Sequence, residues 1–171
     1  GNMLPWLVNE IPTVANGGVA KDLSSITWKI KKGIKFSDGS ELTADDAVFT
    51  YEYCINKDTG CTQTNYYSDI KSVKAVDRYT VRIDFTVSKP FPYQAFVGYN
   101  SPILQKAQFK DCAGARAQEC NKENFYPIGT GPFVVKDFKP NDVIVFEANP
   151  NYRDSNKPAF NKLVFKGGGD A

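Results

Sequence analysis

Two adjacent carboxylates, Asp45 and Asp46, and four cysteines, Cys54, Cys61, Cys112 and Cys120, are the residues of this sequence best suited to chemistry. Paired carboxylates can act as acid and base on a glycosidic bond. Neighbours on a helix point in different directions, however, so these two do not flank one substrate bond. Asp46 instead stands where a capping box begun by Thr43 wants an acid. The sequence contains no histidine, which excludes any Ser-His or Cys-His nucleophile system within it. A Ser-Lys pair is open by composition, but no motif frames one.

Gly129-Thr130-Gly131-Pro132 resembles part of a phosphate cradle. It lacks the third glycine and leads into a strand pattern, so neither nucleotide fingerprint fits. A tight turn entering a strand accounts better for Gly129 and Gly131. Asn56, Asp58 and Asp69 lack the long loop and closing glutamate of a calcium site. No cofactor or metal is expected.

The cysteines form two close pairs, and three connectivities are open. The local one, Cys54–Cys61 with Cys112–Cys120, is expected. Each bridge would staple a polar loop after a helix and contribute roughly 2.5 kcal/mol on the chain-entropy estimate. Free thiols are the alternative, and zinc is disfavoured by the gaps and by the lack of histidine. Disulfides would imply an oxidising compartment outside the cytoplasm.

Five further side chains, Tyr66, Tyr67, Tyr93, Tyr99 and Asn100, suit a cleft wall. Tyrosine offers contact area and a hydrogen bond at low entropic cost. Their alternative role is ordinary surface or core packing.

The elements that must position these residues are legible in part. Residues 4–16 read as an apolar, proline-bearing segment laid over the body. Ile26, Trp28 and Ile30 alternate with polar residues as a half-buried strand, and Ile34 and Phe36 resume the alternation. Residues 37–40 form a turn that uses Gly39. Thr43 then caps a helix whose apolar face is Ala47, Val48, Tyr51, Cys54 and Ile55. Residues 70–76 and 79–85 form a hairpin around Asp77-Arg78. Residues 94–100 suggest a short helix. Ser101-Pro102 suggests another, with Ser101 at the cap and Ile103, Leu104, Ala107 and Phe109 inward. Residues 111–126 read as a stapled loop. Residues 133–138, 143–148 and 163–165 read as strands.

The chain has 171 residues, 42% apolar and 13% aromatic, with a net charge of +2. That supports one domain over 1–171 with a real core, and the terminal glycines suggest a flexible exit at 167–171. No basic stripe argues for nucleic acid or an anionic membrane surface. No apolar stretch approaches the roughly 18 residues of a membrane helix. The expected fold class is α+β: a mixed, largely antiparallel sheet with two or three packed helices.

Four blocks then carry a resemblance. They are residues 26–39 with 42–53 behind them, residues 73–85, residues 128–138, and residues 147–158 followed by 162–166. In this order and spacing the chain resembles the family-5 extracellular solute-binding proteins of ABC importers, the oligopeptide, dipeptide and nickel type. The resemblance implies a piece of a longer, two-lobed clamp, here the accessory domain of the first lobe. It implies an extracytoplasmic location, possible lipid anchoring, a small solute such as a peptide, and permease subunits in the membrane as partners. It also implies that a loop just before residue 73 approaches the cleft, which makes Tyr66 and Tyr67 expected solute contacts; Tyr99 and Asn100 join them as side chains suited to a cleft wall. No catalysis is implied. The cysteine-bearing segments fall outside the general pattern of the family. A secreted interaction module and, lowest, a carboxylate-dependent hydrolase are the rival classes.

Overall fold

The computed structural model describes residues 3–167. The first sheet is built from Ser25–Lys29 (β1), Ile70–Asp77 (β2) and Thr80–Phe85 (β3), in the order β1-β3-β2 and antiparallel throughout. Its register sets Ile26 against Ile83, Trp28 against Val81 and Val73 against Ile83. Because side chains alternate across a strand, those residues share the buried face. The turn of the β2–β3 hairpin is closed by Asp77, whose carboxylate accepts the Tyr79 N–H at 2.8 Å.

Helix α1, Ala44–Ile55, lies on that face and buries Ala47, Tyr51 and Cys54 in the same core. The expected apolar stripe needs one correction, since Ile55 is exposed. Phe49 and Thr50 are buried instead, because the helix is covered on a second side. There Phe49 packs with Phe109 and Cys112, brought by the short helix α2, Lys106–Phe109, and by the stapled loop. That loop is more ordered than its polarity suggested. It holds a 3₁₀ turn, Gly114–Glu119, and helix α3, Asn121–Phe125.

The helices expected at 94–100 and at Ser101 do not form among the described residues; α2 starts at Lys106, with Gln105 at its cap and Ala107 exposed. Ser101 is used otherwise. Its buried hydroxyl accepts the Phe96 N–H at 2.9 Å and meets the Tyr67 hydroxyl at 2.9 Å. Residues 4–16 do lie over the body. Asn9 and Lys31 make backbone hydrogen bonds with Lys29 and Leu7, and Tyr93 donates to the Pro12 carbonyl at 2.7 Å.

A second sheet comprises Phe133–Lys139 (β4), Val143–Ala148 (β5) and Lys162–Lys166 (β6), in that order and antiparallel. The α+β class with antiparallel pairing therefore holds, with the strands divided between two sheets. No strand residue of β4, β5 or β6 is fully buried. Both expected disulfides are present, Cys54–Cys61 and Cys112–Cys120. Of the exit expected at 167–171, only Gly167 is described, and its N–H meets the Asp142 carbonyl; residues 168–171 lie outside the described residues.

Candidate functional site

Residues of three of the four sequence blocks converge where the turn after Phe36 meets the loops before β4 and after β5. The turn after Phe36 is held by Asp38, whose carboxylate accepts the Ser40 N–H at 2.9 Å and the Ser40 hydroxyl at 2.7 Å. Gln105, buried, donates to the other Asp38 oxygen at 2.7 Å. Burial opposes ionisation of Asp38, but the bonds from Gln105 and Ser40 outweigh it and hold its carboxyl below the usual value of 3.8. Gly39 has φ +89°, a left-handed backbone that a residue with a Cβ adopts only with strain.

Ser37 donates its N–H to the Gly129 carbonyl at 2.9 Å and accepts from the Asn151 side chain at 3.0 Å. Asn149, buried, donates its side-chain amide to the Gly131 carbonyl at 2.8 Å and its own N–H to the Pro132 carbonyl at 2.9 Å. Gly129 and Gly131 thus serve through their carbonyls. Neither has a left-handed φ, and neither lacks room for a Cβ. Arg153 closes the junction, donating to the Thr130 carbonyl at 3.3 Å with its guanidinium 4.5 Å from the Trp6 ring centroid and 4.9 Å from that of Tyr152.

The carboxylate pair separates as helical geometry requires. Asp45 is exposed, whereas Asp46 is buried. One Asp46 oxygen accepts the Thr43 N–H at 2.9 Å and the Thr43 hydroxyl at 3.2 Å. The other accepts the Lys106 N–H at 2.9 Å. Asp46 therefore completes the cap of α1 and also ties down the start of α2. Nothing in this arrangement pairs two carboxylates across a substrate.

The structure separates the expected contact residues. Tyr67 is 2% exposed and Tyr99 is 92% exposed. Tyr66 is half-buried against the core. Tyr67 and Asn100 share the rim and wall of a hollow of about 490 Å³, between the two disulfide loops and the stretch from Asn100 to Leu104. A second hollow, of about 430 Å³, is apolar; it lies under the first described residues, between Trp6 and Trp28. Sequence reasoning missed Gln105, Asn149 and Asn151. The Asn-Pro-Asn spelling of 149–151 carries a turn signal, but nothing local marks Gln105.

These sequence blocks thus serve as braces of the fold. The family described as "Bacterial extracellular solute-binding proteins, family 5 Middle" matches residues 5–171, and the chain belongs to that family. The oligopeptide-binding protein AppA of Bacillus subtilis (strain 168) is 35% identical over 151 residues, covering 88% of this chain and 26% of the relative. The periplasmic oligopeptide-binding protein OppA of Escherichia coli (strain K12) is 25% identical over 171 residues, covering 90% of this chain and 31% of the relative. The structure of AppA from Bacillus subtilis in complex with a nonapeptide superposes with a TM-score of 0.75 at 32% identity, covering 94% of this chain and 30% of that one. The chain thus spans roughly a quarter to a third of the length of these relatives.

Proposed function

We propose that the chain is part of the first lobe of the solute-capturing component of an ABC importer. It works outside the cytoplasm on peptides or similar small solutes and delivers them to membrane permease subunits. The observation that supports this most is the junction itself. Blocks separated by as many as 114 residues meet there, and their hydrogen-bonding groups are spent on tying the turn after Phe36 to the loops that flank the second sheet. Such a piece is scaffolding: it sets the shape of a lobe and breaks no bond. Solute capture then follows a population shift, in which the closed form gains contacts on both sides of a cleft and the permease reads that form. Among the expected contacts, the exposure of Tyr99 supports a place against the solute, and Tyr67, buried on the Ser101 hydroxyl, would act behind it.

Native mass spectrometry of the protein purified from its own host tests the reading. A retained peptide-sized solute, lost on mild unfolding, is the expected result. Turnover of a chromogenic ester or glycoside by the purified protein would overturn it.

A further inference from the structure

The hollow between the disulfide loops has a lining that a charged peptide would not select. Its walls carry no Asp, Glu, Lys or Arg. They carry instead the primary amides of Gln63, Asn100, Gln118 and Asn124, with the aromatic rings of Tyr53 and Phe109 beneath. A carboxylate or ammonium entering such a place would lose hydration without gaining a counter-charge. A neutral hydroxyl-bearing ligand would not, because each amide offers both a donor and an acceptor, as each hydroxyl does.

The hydroxyls deeper in the wall are already committed. The Thr50 hydroxyl donates to the Asp46 carbonyl at 2.7 Å and accepts the Leu104 N–H at 2.8 Å. Thr59 accepts the Gly114 N–H at 2.9 Å, and Ser101 serves Phe96 and Tyr67. What remains for a ligand is the amides of Gln63, Asn100 and Gln118, the part of the Asn124 amide not donated to the Ala117 carbonyl at 3.3 Å, the Thr62 hydroxyl and the phenol of Tyr53. That phenol makes no hydrogen bond among the described residues, and burial pushes its pKa up. The Tyr53 ring is held from both sides, 5.9 Å from Phe49 and 6.0 Å from Phe109 between centroids.

The walls are also pre-organised. One is stapled by Cys54–Cys61 and the other by Cys112–Cys120, and the Thr59–Gly114 bond joins them. The volume of about 490 Å³ falls in the ordinary range for small-molecule sites.

We infer that this hollow is a binding site for a neutral sugar of mono- to disaccharide size, built by the cysteine-bearing segments. The inference does not rest on the importer reading: the site lies wholly within the described residues and would recognise a different chemistry from a zwitterionic peptide.

The test is titration of the oxidised protein with N-acetylglucosamine, maltose and cellobiose, followed by backbone amide NMR shifts. Glucuronate and glucosamine serve as anionic and cationic controls. Saturable shifts confined to residues around Tyr53, Asn100 and Gln118, with at least one neutral sugar and little dependence on salt, are expected. Gln118→Leu and Tyr53→Phe should each weaken that binding about tenfold while leaving the circular dichroism spectrum unchanged. The inference is overturned if no neutral sugar gives saturable shifts, if both variants bind like the parent, or if a charged control binds as tightly. Peptide retention in the native mass experiment is read separately, so failure of one reading is distinguishable from failure of the other.

Discussion

At the scale of single residues, adjacent side chains of the same type do unequal work. Asp45 projects into solvent, whereas Asp46 satisfies two backbone N–H groups and one hydroxyl in a buried setting. Removing a buried acceptor leaves its donors unsatisfied, which costs more than the lost bonds alone. Asp46→Ala should therefore lower unfolding free energy by about 2–4 kcal/mol, and Asp45→Ala by no more than about 0.5 kcal/mol. Urea denaturation of the two variants beside the parent checks this; equal losses would show that the cap is not what Asp46 supplies. Asp38 gives a second expectation at this scale. Its folded pKa lies below the unfolded value of 3.8, so its contribution is present above that value and is lost as pH falls through the folded one. The urea midpoint should hold through mildly acidic pH and drop below about pH 4. Asp38→Asn should flatten that drop, which a series of midpoints against pH would read.

At the scale of elements, local signals and long-range ones part company. Helix α1, the β2–β3 hairpin and the β4–β5 pair were legible because capping residues, alternation and turn chemistry all act within a few residues. Ser101-Pro102 misled for the opposite reason. Its cap signal was sound, but the Ser101 hydroxyl is taken by Tyr67 and Phe96, and tertiary demand overrode local preference. The division into two sheets was hidden as well, since which strands pair is decided between distant parts of the chain, and so were the bonds of Ser37 with Gly129 and Asn151 that link the two. The site shows the same split: Tyr67 and Asn100 stood out by type, while the hollow they share exists only once both stapled loops pack together.

That packing carries a quantitative expectation. Replacing either cysteine pair by serine should cost about 2–3 kcal/mol from loop-closure entropy. Because the loops brace each other through Thr59 and Gly114, each single removal also loosens their shared interface. Removing both should then cost less than the sum, the sign of non-additivity for elements in contact. Urea unfolding of the three variants reads this directly, and strict additivity would show that the loops are energetically independent.

At the scale of the whole molecule, stability is unevenly shared. The first sheet and α1 enclose a core in which Ile26, Phe36, Leu42 and Ile83 are almost wholly inaccessible. The second sheet buries none of its strand residues fully, and Phe160 and Phe165 near and on it are more than half exposed. It is held to the first by the bonds from Asn151 and Ser37 and by the Arg153 stack. Local opening free energy follows buried apolar contact, so the two sheets should exchange their amide hydrogens as separate units. Hydrogen exchange read by mass spectrometry should find β1, β3 and α1 slowest, with β4 to β6 faster by at least about tenfold. Asn151→Ala should speed exchange in β4 to β6 further and leave β1 and β3 unchanged, because it cuts a tie between sheets and touches neither core. If instead all six strands slowed and quickened together, the junction would be transmitting full cooperativity, and the sheets would be one folding unit despite their unequal burial.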